Sequence, residues 1–287
     1  MIGKIIKLTG GIYTVVDDFG KTYNLKPRGI FRYKELSPKV GDNVEFSEDV
    51  IEKVLPRHND LIRPQISNID QAILINAALK PNFSFDLLDR FLILIEAQNI
   101  KPVIIVTKID LLDEEALNTL KEKMKYYEKM YKVIFFSKHT LDNIEEVKNV
   151  MSGKVSVLAG QTGAGKSSLL NALDPTLELA TNEISEALGR GKHTTRHVEL
   201  IKYQDALIAD SPGFSKLDFY NIKPNQLKDC YPDFVLLEDE CRFNGCIHVN
   251  EPGCKIKEEY NKGNILKSRY ENYVRLYEEI KSIKIKY

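Results

Sequence analysis

At 287 residues, 43% hydrophobic and 29% charged, the chain has the composition of a soluble globular protein and room for two or three domains. Lysine and arginine total 41 and aspartate and glutamate 41, a formal net charge of zero, so any nucleic-acid contact has to come from local patches and not from a global field. Apolar runs such as 91–95 fall far short of a membrane span, and the N-terminus reaches Gly10-Gly11 without a signal peptide's apolar core, which points to a cytoplasmic protein with no membrane partner.

Residues 1–65 carry β signals. Segments 14–17 and 43–46 read as short strands, with Asp18, Gly20, Gly41 and Asp42 as turn residues, and a small closed β-barrel fits this length. Between 21 and 39 the basic residues Lys21, Lys26, Arg28, Arg32, Lys34 and Lys39 face one acid, Glu35, and Tyr23, Phe31 and Tyr33 are interleaved. Charge with stacking rings suits RNA, but a solvated basic loop with core aromatics fits the same letters.

Residues 66–222 alternate between strand and helix. Strands are expected at 71–76, 103–107, 133–136, 155–159, 198–203 and 206–209, and helices at 84–98, 113–130, 142–151 and from Lys166 to Leu173. That alternation predicts a doubly wound α/β sheet. Residues 223–287 hold a Cys/His cluster and end in an amphipathic helix with Leu266, Tyr270, Tyr273, Val274, Tyr277 and Ile280 on its apolar side. Its charges, Lys267, Arg269, Arg275 and Lys281 among them, are expected on a solvated face.

Chemistry is concentrated in short motifs. Gly160-Gln161-Thr162-Gly163-Ala164-Gly165-Lys166-Ser167, followed by Ser168, fits the phosphate-loop pattern at every fixed position, after a strand and before a helix. Glycines let backbone N–H groups close around phosphate oxygens. Lys166 would reach the β- and γ-phosphates and the Ser167 hydroxyl would bind Mg²⁺. Asp210-Ser211-Pro212-Gly213 supplies a D-x-x-G, with Asp210 facing Mg²⁺ through water and the Gly213 N–H facing the γ-phosphate. Between them, the polar, basic stretch 189–197 is where a first switch belongs. Thr195 is the expected Mg²⁺ ligand there, with Thr194 second.

Thr107-Lys108-Ile109-Asp110 reads guanine: the Asp110 carboxylate accepts from N1 and N2, donors that adenine lacks. The Lys108 stem would cover the base, and Thr107 offers one hydrogen bond. Ser137-Lys138, after another strand, would back the base. Alone, T-K-x-D is better explained by a capped turn; the phosphate loop reverses that in favour of the nucleotide reading. The base-reading elements precede the phosphate loop, then come the first and second switches, and that order denotes a circularly permuted GTPase.

Cys241, Cys246, His248 and Cys254 offer three thiolates and one imidazole. That set suits tetrahedral Zn²⁺ with no open position, a structural site, with Gly245 and Pro252-Gly253 giving the turns. Cys230 is expected to be a buried free thiol.

The succession T-K-I-D, G-Q-T-G-A-G-K-S-S, G-R-G-K-H-T-T-R, D-S-P-G-F and the Cys/His cluster resembles the RsgA family, also called YjeQ or YloQ, over essentially all 287 residues. These are circularly permuted GTPases of small ribosomal subunit assembly. The resemblance implies three parts: an OB-fold at 1–65, the permuted GTPase at 66–222 and a zinc-binding segment at 223–287. It implies GTP hydrolysis to GDP and phosphate, stimulated by the 30S subunit during late maturation. It also tips the basic barrel toward 16S rRNA; a monomer is expected. Phe214 stands where Ras-like enzymes carry a water-orienting Gln, so slow hydrolysis by the free protein is expected, and His193 in the first switch is the hypothesised replacement. Gly163 gives no support to a K⁺ site. The competing reading is a GTP-dependent switch acting on another RNA. A metabolic P-loop kinase leaves Asp110 and the Cys/His cluster unexplained, and the intact Lys166, Ser167 and Asp210 argue against a vestigial site.

Overall fold

The computed structural model describes residues 1–32, 37–61, 65–177, 199–209, 219 and 222–283. The chain divides into two compact units: Met1–Ile73 with Asn143–Ala159 and Gly165–Ser215, and Leu74–Asp142 with Gly160–Ala164 and Lys216–Tyr287.

In the first unit, β1 (Ile2–Thr9), β2 (Ile12–Asp17), β3 (Thr22–Pro27), β4 (Asn43–Phe46) and β5 (Val50–Val54) close into a barrel in the order β1-β2-β3-β5-β4. Antiparallel β1 pairs with both β2 and β4, while β3 and β5 run parallel, the connectivity of an OB-fold. Alternation sets the core: Ile5, Val15, Leu25, Val44 and Ile51 are fully buried. A two-stranded ribbon follows, β6 (Asp60–Leu61) with β7 (Ile66–Ser67), and a buried carboxylate ties it to the barrel. Asp42 accepts from Arg57 Nε and Nη2 at 2.6 and 2.7 Å, from Ser67 Oγ at 2.5 Å and from the Lys39 N–H at 2.9 Å.

The expected strands form within each unit: β8 (Gln71–Ala77), β9 (Lys101–Thr107) and β10 (Lys132–Phe135) lie in the order β10-β9-β8, and β11 (Val155–Ala159), β12 (Leu200–Tyr203) and β13 (Ala206–Ala209) in the order β11-β13-β12. β9 and β10 are parallel, as are β11 and β13, and β12 returns antiparallel on β13. Every residue of β8 and β11 is buried, as in strands covered on both faces. Helix α1 (Phe85–Glu96) starts where the Ser84 side chain accepts the Leu87 N–H, and α2 (Glu114–Glu128) where Asp113 accepts that of Ala116. Helices α3 (Ile144–Met151) and α4 (Lys166–Leu173) flank β11 in the chain.

The C-terminal part of the second unit holds α5 (Pro232–Val235), α6 (Lys255–Asn261) and α7 (Lys267–Ser282). Leu227, Tyr231, Phe234, Tyr273, Leu276 and Ile280 form its core with Ile93 of α1. One expectation fails here: Arg269 is not on a solvated face but fully buried. Its guanidinium donates to Asp89 of α1 at 2.6 Å and to Asp233 of α5 at 3.0 Å, and lies 4.1 Å from the centre of the Tyr231 ring. Asn272 and Tyr127 complete the hydrogen bonding of Asp89 at 2.6 and 2.9 Å, so the buried charges are paired and solvated by protein.

Candidate functional site

Neighbouring parallel strands deliver their C-terminal loops to the same edge of a sheet. β9 and β10 pair with Val106 opposite Phe135, so Thr107–Asp110 and Ser137 emerge side by side. In the first unit, β11 and β13 pair with Val157 opposite Ala209. The phosphate loop follows the first of these strands in the chain and Asp210 the second.

The base-reading group is built around Ser137, which is 1% exposed. Its hydroxyl donates to Asp110 Oδ1 at 2.7 Å and accepts the His139 N–H at 3.2 Å. Ser137 therefore fixes the carboxylate that would meet guanine N1 and N2. Lys108 adopts a left-handed backbone, φ 57°, and its ammonium donates to the Gly163 carbonyl at 2.7 Å and to that of Lys80. Burial, then the charge of Lys138, lowers the Lys108 pKa against the pull of Asp110. The Thr107 hydroxyl, assigned to the purine from sequence, lies 2.5 Å from the Ala164 carbonyl, to which it donates. Its proton thus goes to the phosphate loop, leaving only acceptor capacity for a base. Two consecutive residues of the base-reading motif thereby hold two consecutive carbonyls of the phosphate loop.

Gly160 has φ 130°, and a β-carbon there would sit 2.1 Å from the Ile75 carbonyl oxygen, so only glycine fits. Gln161, Thr162 and Gly163 are exposed and Ala164 is buried. In the first unit, Gly165 precedes α4, whose opening turn carries Lys166, Ser167 and Ser168, with Ser167 6% exposed. A helix N-terminus offers unpaired N–H groups and partial positive charge to a phosphate. Arg190, Lys192, His193, Thr194, Thr195, Arg196, Asp210, Gly213 and Phe214 lie outside the described residues.

On the barrel, Lys21, Lys26 and Arg28 are exposed, Arg32 ends a short 3₁₀ helix, and Tyr33 and Lys34 lie outside the described residues. Phe31, 8% exposed, belongs to the core and not to a stacking surface. Tyr23 packs on Phe46 with ring centres 4.9 Å apart, and the Lys21 ammonium lies 5.0 Å from its ring centre.

The Cys/His residues converge as expected. One ligand atom from each of Cys241, Cys246, His248 and Cys254 lies within 4.8 Å of the others. His248 presents Nδ1, 3.6 Å from Cys241 Sγ and 3.4 Å from Cys254 Sγ, spacings that suit four ligands around one small cation. Burial, reinforced by Cys254, pushes the Cys246 thiol up to about 12, so stable thiolates here call for a cation. The supports of this knuckle were not legible as motifs. Glu251 accepts the N–H groups of Ile247, Val249 and Asn250 at 3.0–3.1 Å, and Tyr270 and Tyr273 donate to the His248 and Ile247 carbonyls at 2.9 and 2.5 Å. Cys230 is buried and unpaired, its thiol pushed up to about 12 by burial.

Residues 54–220 match the family model described as RsgA GTPase, and residues 2–53 that of the RsgA N-terminal domain. The small ribosomal subunit biogenesis GTPase RsgA of a Geobacillus species is 46% identical over 99% of both chains, and that of Enterococcus faecalis 44% identical over 98% of this chain and 95% of its own. Among solved structures, YjeQ from Thermotoga maritima superposes with a TM-score of 0.88 at 36% identity over 99% of both chains. YloQ, described as a circularly permuted GTPase, gives 0.85 at 38% identity over 100% of this chain and 96% of its own.

Proposed function

Since the chain belongs to the RsgA family of circularly permuted GTPases, we propose that it binds the small ribosomal subunit late in assembly and hydrolyses GTP in response. The observation that carries this reading is the arrangement at Ser137, Asp110 and the Thr107–Lys108 pair. The Asp110 carboxylate, which would select guanine, is held by Ser137, while Thr107 and Lys108 donate to the Ala164 and Gly163 carbonyls. The relatives named for small ribosomal subunit biogenesis, similar along the full chain, support the partner.

The reaction is in-line attack of water on the γ-phosphate. Backbone N–H groups of Gly160–Ala164 and the N-terminus of α4 cradle the phosphates, and Lys166 offsets charge that grows on the β–γ bridge and γ-oxygens. Mg²⁺, held by Ser167 and Thr195 with Asp210 through water, would neutralise the phosphate charge. Gly213 meets the γ-phosphate through its N–H. Phe214 cannot orient water, so His193 does so when the protein is bound to the subunit. Residues 1–65, 66–222 and 223–287 act as RNA-binding barrel, GTPase and zinc-stabilised segment of a cytoplasmic monomer. Among the described residues no helix is long and apolar enough to cross a membrane. Lys21, Lys26, Arg28, Arg32 and Lys34 supply the barrel's contacts with 16S rRNA, and Cys241, Cys246, His248 and Cys254 hold one structural zinc.

The test is GTP turnover by the purified protein alone, with 30S subunits and with 50S subunits. Stimulation by 30S alone is expected, lost in His193→Ala while GDP affinity is kept. Equal slow turnover in all three mixtures would leave a GTPase acting on another RNA or particle.

A further inference from the structure

Phe19 is 97% exposed, the most exposed large apolar side chain among the described residues. Solvent exposure of a whole phenyl ring is unfavourable unless something covers it. The ring is not on a loose tip. It sits in the β2–β3 turn, where the Asp17 carboxylate accepts the Phe19 and Lys21 N–H groups at 3.0 and 2.9 Å and the Tyr23 hydroxyl at 3.0 Å. Gly20 closes the turn at φ 81°. The barrel thus projects an aromatic ring from a pinned backbone, with little ordering entropy left to lose on contact.

Cations surround this turn from two elements. Lys21 follows in the turn, its ammonium 5.0 Å from the Tyr23 ring centre. Lys202 comes from β12, and its ammonium lies 2.8 Å from where a Gly20 β-carbon would stand. Exposed Lys26 lies further along β3. Asp17 and Asp18 are the opposing charges, with the Asp17 carboxylate turned back onto three donors of the turn itself. An exposed aromatic ring on a turn flanked by lysines suits an unpaired nucleobase with its phosphates, because every base has a π-face and the flanking phosphates need neutralising. A protein partner would more naturally meet a broader apolar patch than one ring among lysines.

We propose that Phe19 is a base-stacking residue for single-stranded RNA, with Lys21 and Lys202 as its phosphate contacts. This rests on the small-subunit reading for the identity of the RNA, and not for the stacking itself. The site lies in neither the basic stretch nor the aromatic set singled out from sequence, apart from Lys21, and it recruits a lysine from the edge of the GTPase sheet.

The chain has no tryptophan, so Phe19→Trp in the full-length protein places a single indole at the turn. Titration with a single-stranded RNA of about 12 nucleotides should quench its emission, and 30S subunits should do the same. Phe19→Ala should bind that RNA roughly 5- to 100-fold more weakly, Phe19→Tyr should restore binding, and GDP affinity should stay unchanged in all three variants. Unaltered RNA affinity in Phe19→Ala, or an indole that responds to subunits but not to naked RNA, would overturn the proposal; the second result would indicate a ribosomal protein. Absence of 30S-stimulated turnover in the unmutated protein would instead count against the small-subunit reading, with the oligonucleotide quench still deciding the role of Phe19.

Discussion

Ser137 and Thr107 look interchangeable as small hydroxyl residues at strand ends, yet their hydroxyls have different partners, and in the proposed site they would serve different parts of the nucleotide. Ser137 orients the Asp110 carboxylate, proposed to distinguish guanine, whereas Thr107 donates to the Ala164 carbonyl of the phosphate-loop motif. Removing the Ser137 hydroxyl frees Asp110 Oδ1 and costs the base contacts about 1.5 kcal/mol, roughly tenfold in affinity. The loss should fall on the contact to the 2-amino group as well, so Ser137→Ala should weaken GDP binding and narrow its preference over IDP, which lacks that group. Thr107→Val removes a bond to the phosphate loop, so it should weaken GDP and IDP by similar factors. Titrations of both nucleotides against both variants separate the roles; equal losses for Ser137→Ala would sink the assignment to base reading.

At the scale of elements, the C-terminal knuckle joins metal chemistry to helix packing. Its backbone is held from outside by Tyr270 and Tyr273 of α7 and from inside by Glu251. With zinc assigned to the four ligands, chelation should leave buried thiols that resist ionising and a loop with few apolar contacts of its own. We expect local unfolding: tyrosine near-UV dichroism from Tyr270 and Tyr273 should fall while the far-UV signal of the sheet persists and one zinc per chain is released. A chelator that changes neither signal would show that the knuckle stands without metal. The ligands were legible in the sequence because four rare side chains lie within a short span. Glu251 was not, because a carboxylate that caps backbone N–H groups leaves no spacing signature. Arg269 was misread for a related reason: helical periodicity finds apolar positions, and the partners that make its burial tolerable, Asp89 and Asp233, lie on α1 and α5.

For the molecule as a whole, the motif order announced the permutation and strand–helix alternation announced the sheet, since both are written in contiguous residues. How the barrel is anchored was not legible, because its anchor is assembled from distant polar groups. The first compact unit contains the barrel together with Asn143–Ala159 and Gly165–Ser215. Lys7 bridges β1 to Glu199, but both side chains are 42% exposed, and such a pair contributes little. The fully buried Asp42 is different: Arg57 grips it with two donors and Ser67, just before β8, with a third. Arg57→Leu removes the guanidinium paired with a buried carboxylate, leaving only the more distant Lys4 and Lys39 charges, and should destabilise the unit by about 3 kcal/mol. Adding Asp42→Asn removes the charge and should recover part of that loss. If Asp42 is the anchor, hydrogen exchange in Arg57→Leu should accelerate together in β4 and in residues 66–69. Acceleration confined to β4 would mean that the following segment is held by its other contacts, such as the Ser67 N–H on the Val40 carbonyl and the Asn68 amide on that of Gly41, and not by Asp42.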